Sequence, residues 1–243
     1  DPSMSTNASP RSFNYQNIKA GAIIVAAGTS QRMEGINKVF APLLGKPLIF
    51  HTLKPFLQCP FIQQTILVLH RSMLERGARL LKEQGWQGIQ VVAGGERRQD
   101  SVYEGLKHLG EVEWVIVHDG ARPCLKIETL YEGMLSAQET GAATAAVPIT
   151  DSVKAVNDQG VIVDTLERDT LRLAQTPQIF RRSLLEEALR HNLTTVADEA
   201  ALVERLGVSV RTFPGSPTNI KVTTPADLPL AEWVLRGRAS QLA

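Results

Sequence analysis

The sequence predicts an α/β fold, a mostly parallel sheet with helices on both faces. Three observations carry this. Short unbroken apolar runs alternate with stretches of helical periodicity, and strands of a parallel sheet, buried on both faces, read as such runs. The glycine-rich and charged loops all follow the apolar runs, where ligands sit in open α/β sheets. The alternation breaks once, between residues 151 and 171, where a period of two takes over. Together these describe a Rossmann-like sheet with an inserted β-hairpin arm.

The elements follow in order. AIIVAAG (22–28) is a strand, and PLIFHTLKPFLQ (47–58) a helix that opens at Pro47, since proline suits a first helical turn. QTILVLH (64–70) is a strand and SMLERGARLLKEQG (72–85) a helix. IQVVAGG (89–95) and RQDSVYEGLKHLG (98–110) repeat the pair, as do EWVIVHDGARP (113–123) and KIETLYEGMLSAQETG (126–141). AATAAVPI (142–149) is another strand. Val153 and Ala155, then Val161 and Val163, alternate around NDQG, a turn signal, and so form a hairpin. An isolated hairpin is marginal in water, so this arm is expected to lean on a second subunit. SLLEEALRH, ADEAALVERLG and VSVRTFPG resume the α/β pattern, and NIKVT (219–223) reads as a short strand. A helix then starts near Thr224, Pro225 and Asp227, residues suited to its cap and first turn.

The expected organisation is a disordered tail over 1–19, one domain over 20–236 with its arm at about 150–172, and a C-terminal tail over 237–243. Met4 is the expected natural start, and the polar residues around it lack the apolar stretch of a secretory signal. The 243 residues can bury a sizeable core. A net charge of +1 supplies no bulk field for nucleic acid or an anionic membrane, so anion binding must be local. Cys59 and Cys124, the only cysteines, make neither a disulfide scaffold nor a zinc spacing, and a reducing, cytoplasmic setting is the simplest reading. No apolar run approaches the roughly 20 residues of a membrane span.

The loops carry the chemistry. AAGTSQRM (26–33) is neither a Walker A loop nor G-x-G-x-x-G. Ala26, Ala27 and Gly28 still let backbone N–H groups approach a ligand, and Arg32 and Lys38 bring two cations; the alternative is a tight turn with surface charge. LGKPLI (44–49) reads as a turn into a helix, though Gly45 and Lys46 could contact phosphate. In VHDGARP, Asp119 at a strand end either holds a divalent cation or pairs with Arg122 to order the loop. In GGERRQDSV, Gly94 and Gly95 allow close approach and Ser101 lies near a helix start. Arg97 and Arg98 read as solvated there, and Asp100 as a cap. Lys221 in NIKVT is either an outward edge residue or a cation aimed at an anion. Arg168 and Thr176 are each compatible with plain surface. Arg32, Lys38 and Lys221 have no evident internal partner, and Asp119 is a lone acidic candidate for a metal. Such a set suits nucleotidyl or phosphoryl transfer, in which Mg²⁺ screens a polyphosphate.

Six motifs in this order, AAGTSQRM…NK, AGGERRQDSV, VHDGARP, TDSVK, LAQTPQ and NIKVTTPADL, resemble the 2-C-methyl-D-erythritol 4-phosphate cytidylyltransferases of the non-mevalonate isoprenoid pathway, from about residue 20 to 235. The resemblance implies transfer of CMP from CTP to methylerythritol phosphate, with release of pyrophosphate. Arg32 and Lys38 match cations that stabilise the transition state. Arg168 and Lys221 match residues that position the attacking phosphate. Ala26, Ala27, Gly28, Gly95 and Ser101 match positions around the cytidine. Asp119 matches the magnesium-associated aspartate, Arg122 a substrate-side arginine, and Ser152 and Thr176 hydroxyls near the sugar phosphate. It further implies a homodimer clasped through the arms, an arm reaching the partner's site, so that Arg168 and Ser152 act either there or in their own subunit's site.

Three positions depart from the family pattern: Ser30 for a glycine, Asn37 for a proline and Gly120 for an alanine. Alternatives differ in class. A cytidylyltransferase for another polyol phosphate, such as ribitol 5-phosphate, would share the CTP chemistry. A non-catalytic nucleotide-binding module would have lost Arg32, Lys38 or Asp119, and all are present. A dinucleotide oxidoreductase lacks its glycine fingerprint here.

Overall fold

A computed structural model describes residues 14–28, 37–191 and 194–240. Its centre is a seven-stranded sheet in the order β11-β7-β10-β6-β1-β4-β5. The strands are β1 (Ala20–Ala26), β4 (Ile62–Leu69), β5 (Ile89–Ala93), β6 (Trp114–Asp119), β7 (Ala142–Pro148), β10 (Arg172–Arg181) and β11 (Arg211–Pro214). All run parallel except β10, which is antiparallel to both β6 and β7. The predicted class therefore holds.

The helices are α1 (Leu48–Gln58), α2 (Leu74–Gln84), α3 (Arg98–His108), α4 (Ile127–Thr140), α5 (Arg182–His191), α6 (Glu199–Glu204) and α7 (Asp227–Ser240). Alternate side chains of β1 feed two cores, one on each face of the sheet. Ala22 and Ile24 join Ile49, Leu53 and Phe56 of α1 and Leu130 and Met134 of α4. Ile23 joins Val102 and Leu106 of α3, Leu185 of α5 and Leu202 and Val203 of α6. Burying each such aliphatic side chain stabilises the fold by roughly 1.5–3 kcal/mol. α7 closes a smaller cluster with Leu43, Leu48 and Val222.

LGKPLI forms a tight reversal between β2 (Pro42–Leu43) and β3 (Lys46–Pro47), with Leu44 and Gly45 at positive φ. The arm is a separate pair, β8 (Val153–Val156) and β9 (Ile162–Leu166). Its NDQG turn forms as read: the Asn157 carboxamide oxygen accepts from the N–H groups of Gln159 and Val161, and Gly160 takes φ +77°.

Some expectations are corrected. NIKVT is not a strand; Val222 N–H reaches Ala121 C=O, but no ladder continues, and the side chains of Arg122 and Asp227 take Asn219 C=O and Thr223 N–H. The last helix starts at Asp227, not Thr224: the Asp227 carboxylate collects the backbone N–H and hydroxyl of both Thr223 and Thr224, so the preceding residues form a turn. That helix continues to Ser240, through part of the expected C-terminal tail. At the other end, Tyr15 stacks on Phe61 and meets Tyr131 edge-on, so residues 14–19 pack onto the domain rather than trailing from it.

Candidate active site

The carboxyl ends of β1, β5 and β6 open on one cleft of about 180 Å³. Ala26, Ala27, Gly28, Lys38, Gly95, Arg98, Asp119 and Lys221 line it. Two larger hollows lie at the opposite, amino ends of the strands, one around Lys19 and Leu109–Glu113 and the other around Gln63, Gln64 and Gln87–Gln90. They are broad surface depressions, and in open α/β sheets chemistry belongs at the carboxyl ends.

β1 supplies the cleft's small-residue floor. Gly94 crosses close to it: a Cβ there would sit 2.4 Å from Ala27 Cβ, so no larger residue fits this crossing. Ser101, buried on α3, accepts from the Gly95 N–H at 3.2 Å and so props the loop from beneath. Gly120 is equally confined, since a Cβ there would meet Ala26 Cβ at 2.6 Å. Lys38 opens a short 3₁₀ turn (Lys38–Phe40), and Asn37 caps it by accepting from Val39 N–H, which suits asparagine better than the family's proline. Arg32 and Ser30 lie outside the described residues.

Asp119 ends β6 with its carboxylate only 6% exposed and ringed by cations. Arg98 reaches Oδ1 at 2.5 Å, and Arg122 and Lys221 each reach Oδ2 at 3.1 Å. Burial alone would raise this carboxyl's pKa. The charges of Arg98, Lys221 and Arg122 outweigh it and hold the group well below the carboxylate range. Lys221 therefore has an internal partner, contrary to the sequence reading. The reading of Arg98 as solvated is also corrected. Its Nε and Nη2 grip Glu199 at 2.9 Å each while Nη1 serves Asp119. Burial would lower the Arg98 pKa, but the two carboxylates keep it charged beyond its usual value. Sequence reasoning assigned Glu199 no role.

Behind Asp119 lies a closed polar network. The Thr176 hydroxyl oxygen accepts from Asp119 N–H at 3.0 Å and lies 2.9 Å from His118 Nδ1. His118 Nε2 faces Arg122 C=O, which can only accept, so the neutral ring carries its proton there and Nδ1 accepts from the Thr176 hydroxyl. Full burial pushes the His118 pKa down to about 4, so the ring is neutral, as this network requires. Thr176, expected beside the sugar phosphate, is thus buried with its hydroxyl engaged. Arg122 reaches Asn219 C=O and Asn219 Nδ2 donates to Thr176 C=O, which ties residues 219–222 to the cleft.

Ser152 and Arg168 are not brought to this cleft. Both sit exposed on the arm, where Arg168 donates to Thr150 C=O. The same arm leaves Val156, Val161, Ile162, Val163 and Leu166 in solvent.

Counted together, Arg98, Arg122 and Lys221 face Asp119 and Glu199, three positive charges against two negative. Lys38 lines the same cleft. The arrangement places an excess of positive charge around one central carboxylate. Among the described residues no three His, Cys, Asp or Glu side chains gather to hold a metal. A single carboxylate is, however, what magnesium takes when substrate phosphates complete its shell, so the donor set fits that ion with a nucleotide.

Known proteins share both the sequence and the fold. The family model for 2-C-methyl-D-erythritol 4-phosphate cytidylyltransferase matches residues 20–237. The enzyme of that name from Dehalococcoides mccartyi is 45% identical over 223 residues, 91% of this chain and 98% of that one. The one from Bacillus licheniformis is 44% identical over 230 residues, 92% and 96% of the two chains. Among solved structures, the Anaerococcus prevotii 4-diphosphocytidyl-2C-methyl-D-erythritol synthase superposes with a TM-score of 0.80 at 28% identity, covering 90% of this chain and 99% of that one. The Thermus thermophilus cytidylyltransferase does so with a TM-score of 0.72 at 30% identity, covering 90% and 100%.

Proposed function

This chain belongs to the 2-C-methyl-D-erythritol 4-phosphate cytidylyltransferase family and is a cytidylyltransferase of isoprenoid biosynthesis, transferring CMP from CTP to 2-C-methyl-D-erythritol 4-phosphate; we propose that the cleft around Asp119 is where it does so. The observation that carries this is the meeting, at three strand ends, of small-residue backbone with a carboxylate ringed by cations.

In this reading Ala26, Ala27, Gly28 and Gly95 border the cytidine, and Ser101 supports them. A floor without large side chains lets a base approach the backbone closely. The substrate phosphate attacks the α-phosphorus in line, and pyrophosphate leaves. Lys38 and Arg32 neutralise the charge that grows on the transferring group. Lys221 and Arg122, held by Asp119, are aimed at the attacking phosphate. Asp119 would also hold magnesium, which when bound screens the polyphosphate charge.

The exposed apolar face of the arm supports a homodimer, in which Arg168 and Ser152 would enter the partner's cleft. No helix among the described residues is long and apolar enough to cross a membrane. Two free, buried cysteines support a cytoplasmic setting.

The test is pyrophosphate release from CTP and Mg²⁺ with methylerythritol 4-phosphate and ribitol 5-phosphate in parallel. Release with the first alone is expected. Release only with ribitol 5-phosphate would move the enzyme to another polyol, and silence with both would overturn the reading.

A further inference from the structure

The carboxylate of Glu199 is 1% exposed, and nothing in the transfer reaction as described uses it. A charge so deeply buried is costly to desolvate, and a buried ion pair seldom stabilises a fold more than apolar packing would. What it does here is geometric. Glu199 takes the two-pronged edge of the Arg98 guanidinium and leaves only Nη1 for Asp119. Glu199 balances the Arg98 charge in part, and Arg98 still acts on Asp119 together with Lys221 and Arg122.

The start of α6 is itself fixed. Asp198 accepts from Ala201 N–H, and the buried Gln178 of β10 both donates to Asp198 and accepts from Ala200 N–H. A chain of contacts therefore runs from the sheet through Gln178, Glu199 and Arg98 to Asp119. Arg98 is also the first residue of α3, directly after the loop of Gly94 and Gly95. One guanidinium thus fixes both the rotamer of Asp119 and its distance from the loop assigned to the nucleotide.

We propose that Arg98 and Glu199 are positioning residues for cytidylyl transfer, locking Asp119 Oδ1 in place relative to the nucleotide loop. This rests on the cleft being the site of that reaction. The test is steady-state kinetics on the full chain with Glu199→Gln, which keeps size and removes charge, and Arg98→Lys, which keeps charge and removes the fork. Each variant is normalised to its folded fraction by circular dichroism. Both are expected to lower kcat about 10–100-fold while KM for CTP stays within about threefold. A purely structural clamp would instead lower the melting temperature and leave kcat per folded molecule unchanged. A kcat within about twofold of wild type for either folded variant would overturn the proposal. If Glu199→Gln does not fold, Arg98→Lys decides alone. A wild-type protein that releases no pyrophosphate from CTP would bring down the functional reading, and the proposal with it.

Discussion

Replacing Asp119 by asparagine keeps the shape of the side chain and removes the negative charge at the centre of the cation ring. The cost can be worked from the geometry. Removing one partner of a buried ion pair costs about 3–5 kcal/mol, because the other charge is left uncompensated. Arg98 and Arg122, 24% and 11% exposed, are the buried partners. Lys221 is 41% exposed, so its share is screened and small. Arg98 keeps Glu199, which halves its exposure to the loss. The lower bound, about 3 kcal/mol, is therefore the expected cost, or about 6–12 °C in melting temperature for a domain of this size. The assay is thermal unfolding at pH 7 and fixed protein concentration, since association would shift the midpoint. Its pH dependence supplies an internal check. The folded pKa of Asp119 lies below its ordinary value of 3.8, so its stabilisation is present above that value and is lost as pH falls below it. The gap between wild type and variant should shrink from pH 5 toward pH 2.5. A melting temperature within 1 °C of wild type at pH 7, or a gap that does not change with pH, would refute the charge argument.

Lys38→Ala should lower kcat by about 10²–10³-fold while the CTP dissociation constant rises less than about tenfold, because a transition-state contact is lost; equal losses in both, by kinetics and calorimetry, would count against that role. With the arms clasping a homodimer as proposed, Val163→Asp on the exposed arm face should weaken that association at least about 100-fold in sedimentation equilibrium, since a charge would be buried unpaired. Unchanged association would remove the arm from the interface. Burial pushes the Cys59 thiol up to about 12 and the Cys124 thiol to about 11, so neither should react with iodoacetamide at pH 8 in the native protein, and both should react in urea. Rapid native alkylation at either position, read by mass spectrometry, would contradict the burial.

The parallel strands were legible because burial on both faces leaves an unbroken apolar run, as in the VIV of β6. β10 was not legible. It lies between β6 and β7, yet carries Gln175, Thr176, Pro177 and Gln178 where a central strand should be apolar, and a proline argues against such a strand. The sheet accommodates them because the register with β7 shifts between Ala174 and Gln178, leaving 175–177 outside that ladder. The polar groups then point at His118, Asp119 and Asn219, so the residues that hid the strand are the ones that build the rear of the cleft. NIKVT misled for the opposite reason. Its alternation is that of a strand, but Val222 N–H goes to the loop after β6 and the Asn219 side chain to Thr176 C=O, so no ladder forms along a sheet edge.

Arg98 was read as solvated because charged residues in a loop usually face water, and Glu199 was assigned no role. A signal was nevertheless present. Residues three and four apart share a helix face, and Glu199 stands in phase with Leu202 and Val203, both fully buried. Arg98 stands in phase with Ser101 and Val102, also buried. A charge set in an apolar stripe must be paired or neutralised, because a lone ion cannot be left in the core. Two charges of opposite sign, on two helices that pack on the same face of the sheet, are each other's obvious partners. That pair still presents a donor toward the strand end where a third charge, Asp119, is buried. The balance then extends to Arg122 and Lys221, and the excess positive charge is left for an incoming anion. A protein of net charge +1 can therefore hold a cleft with local positive excess: the buried charges of Arg98, Arg122, Asp119 and Glu199 cancel, and the excess rests on Lys221 and Lys38, which line the cleft.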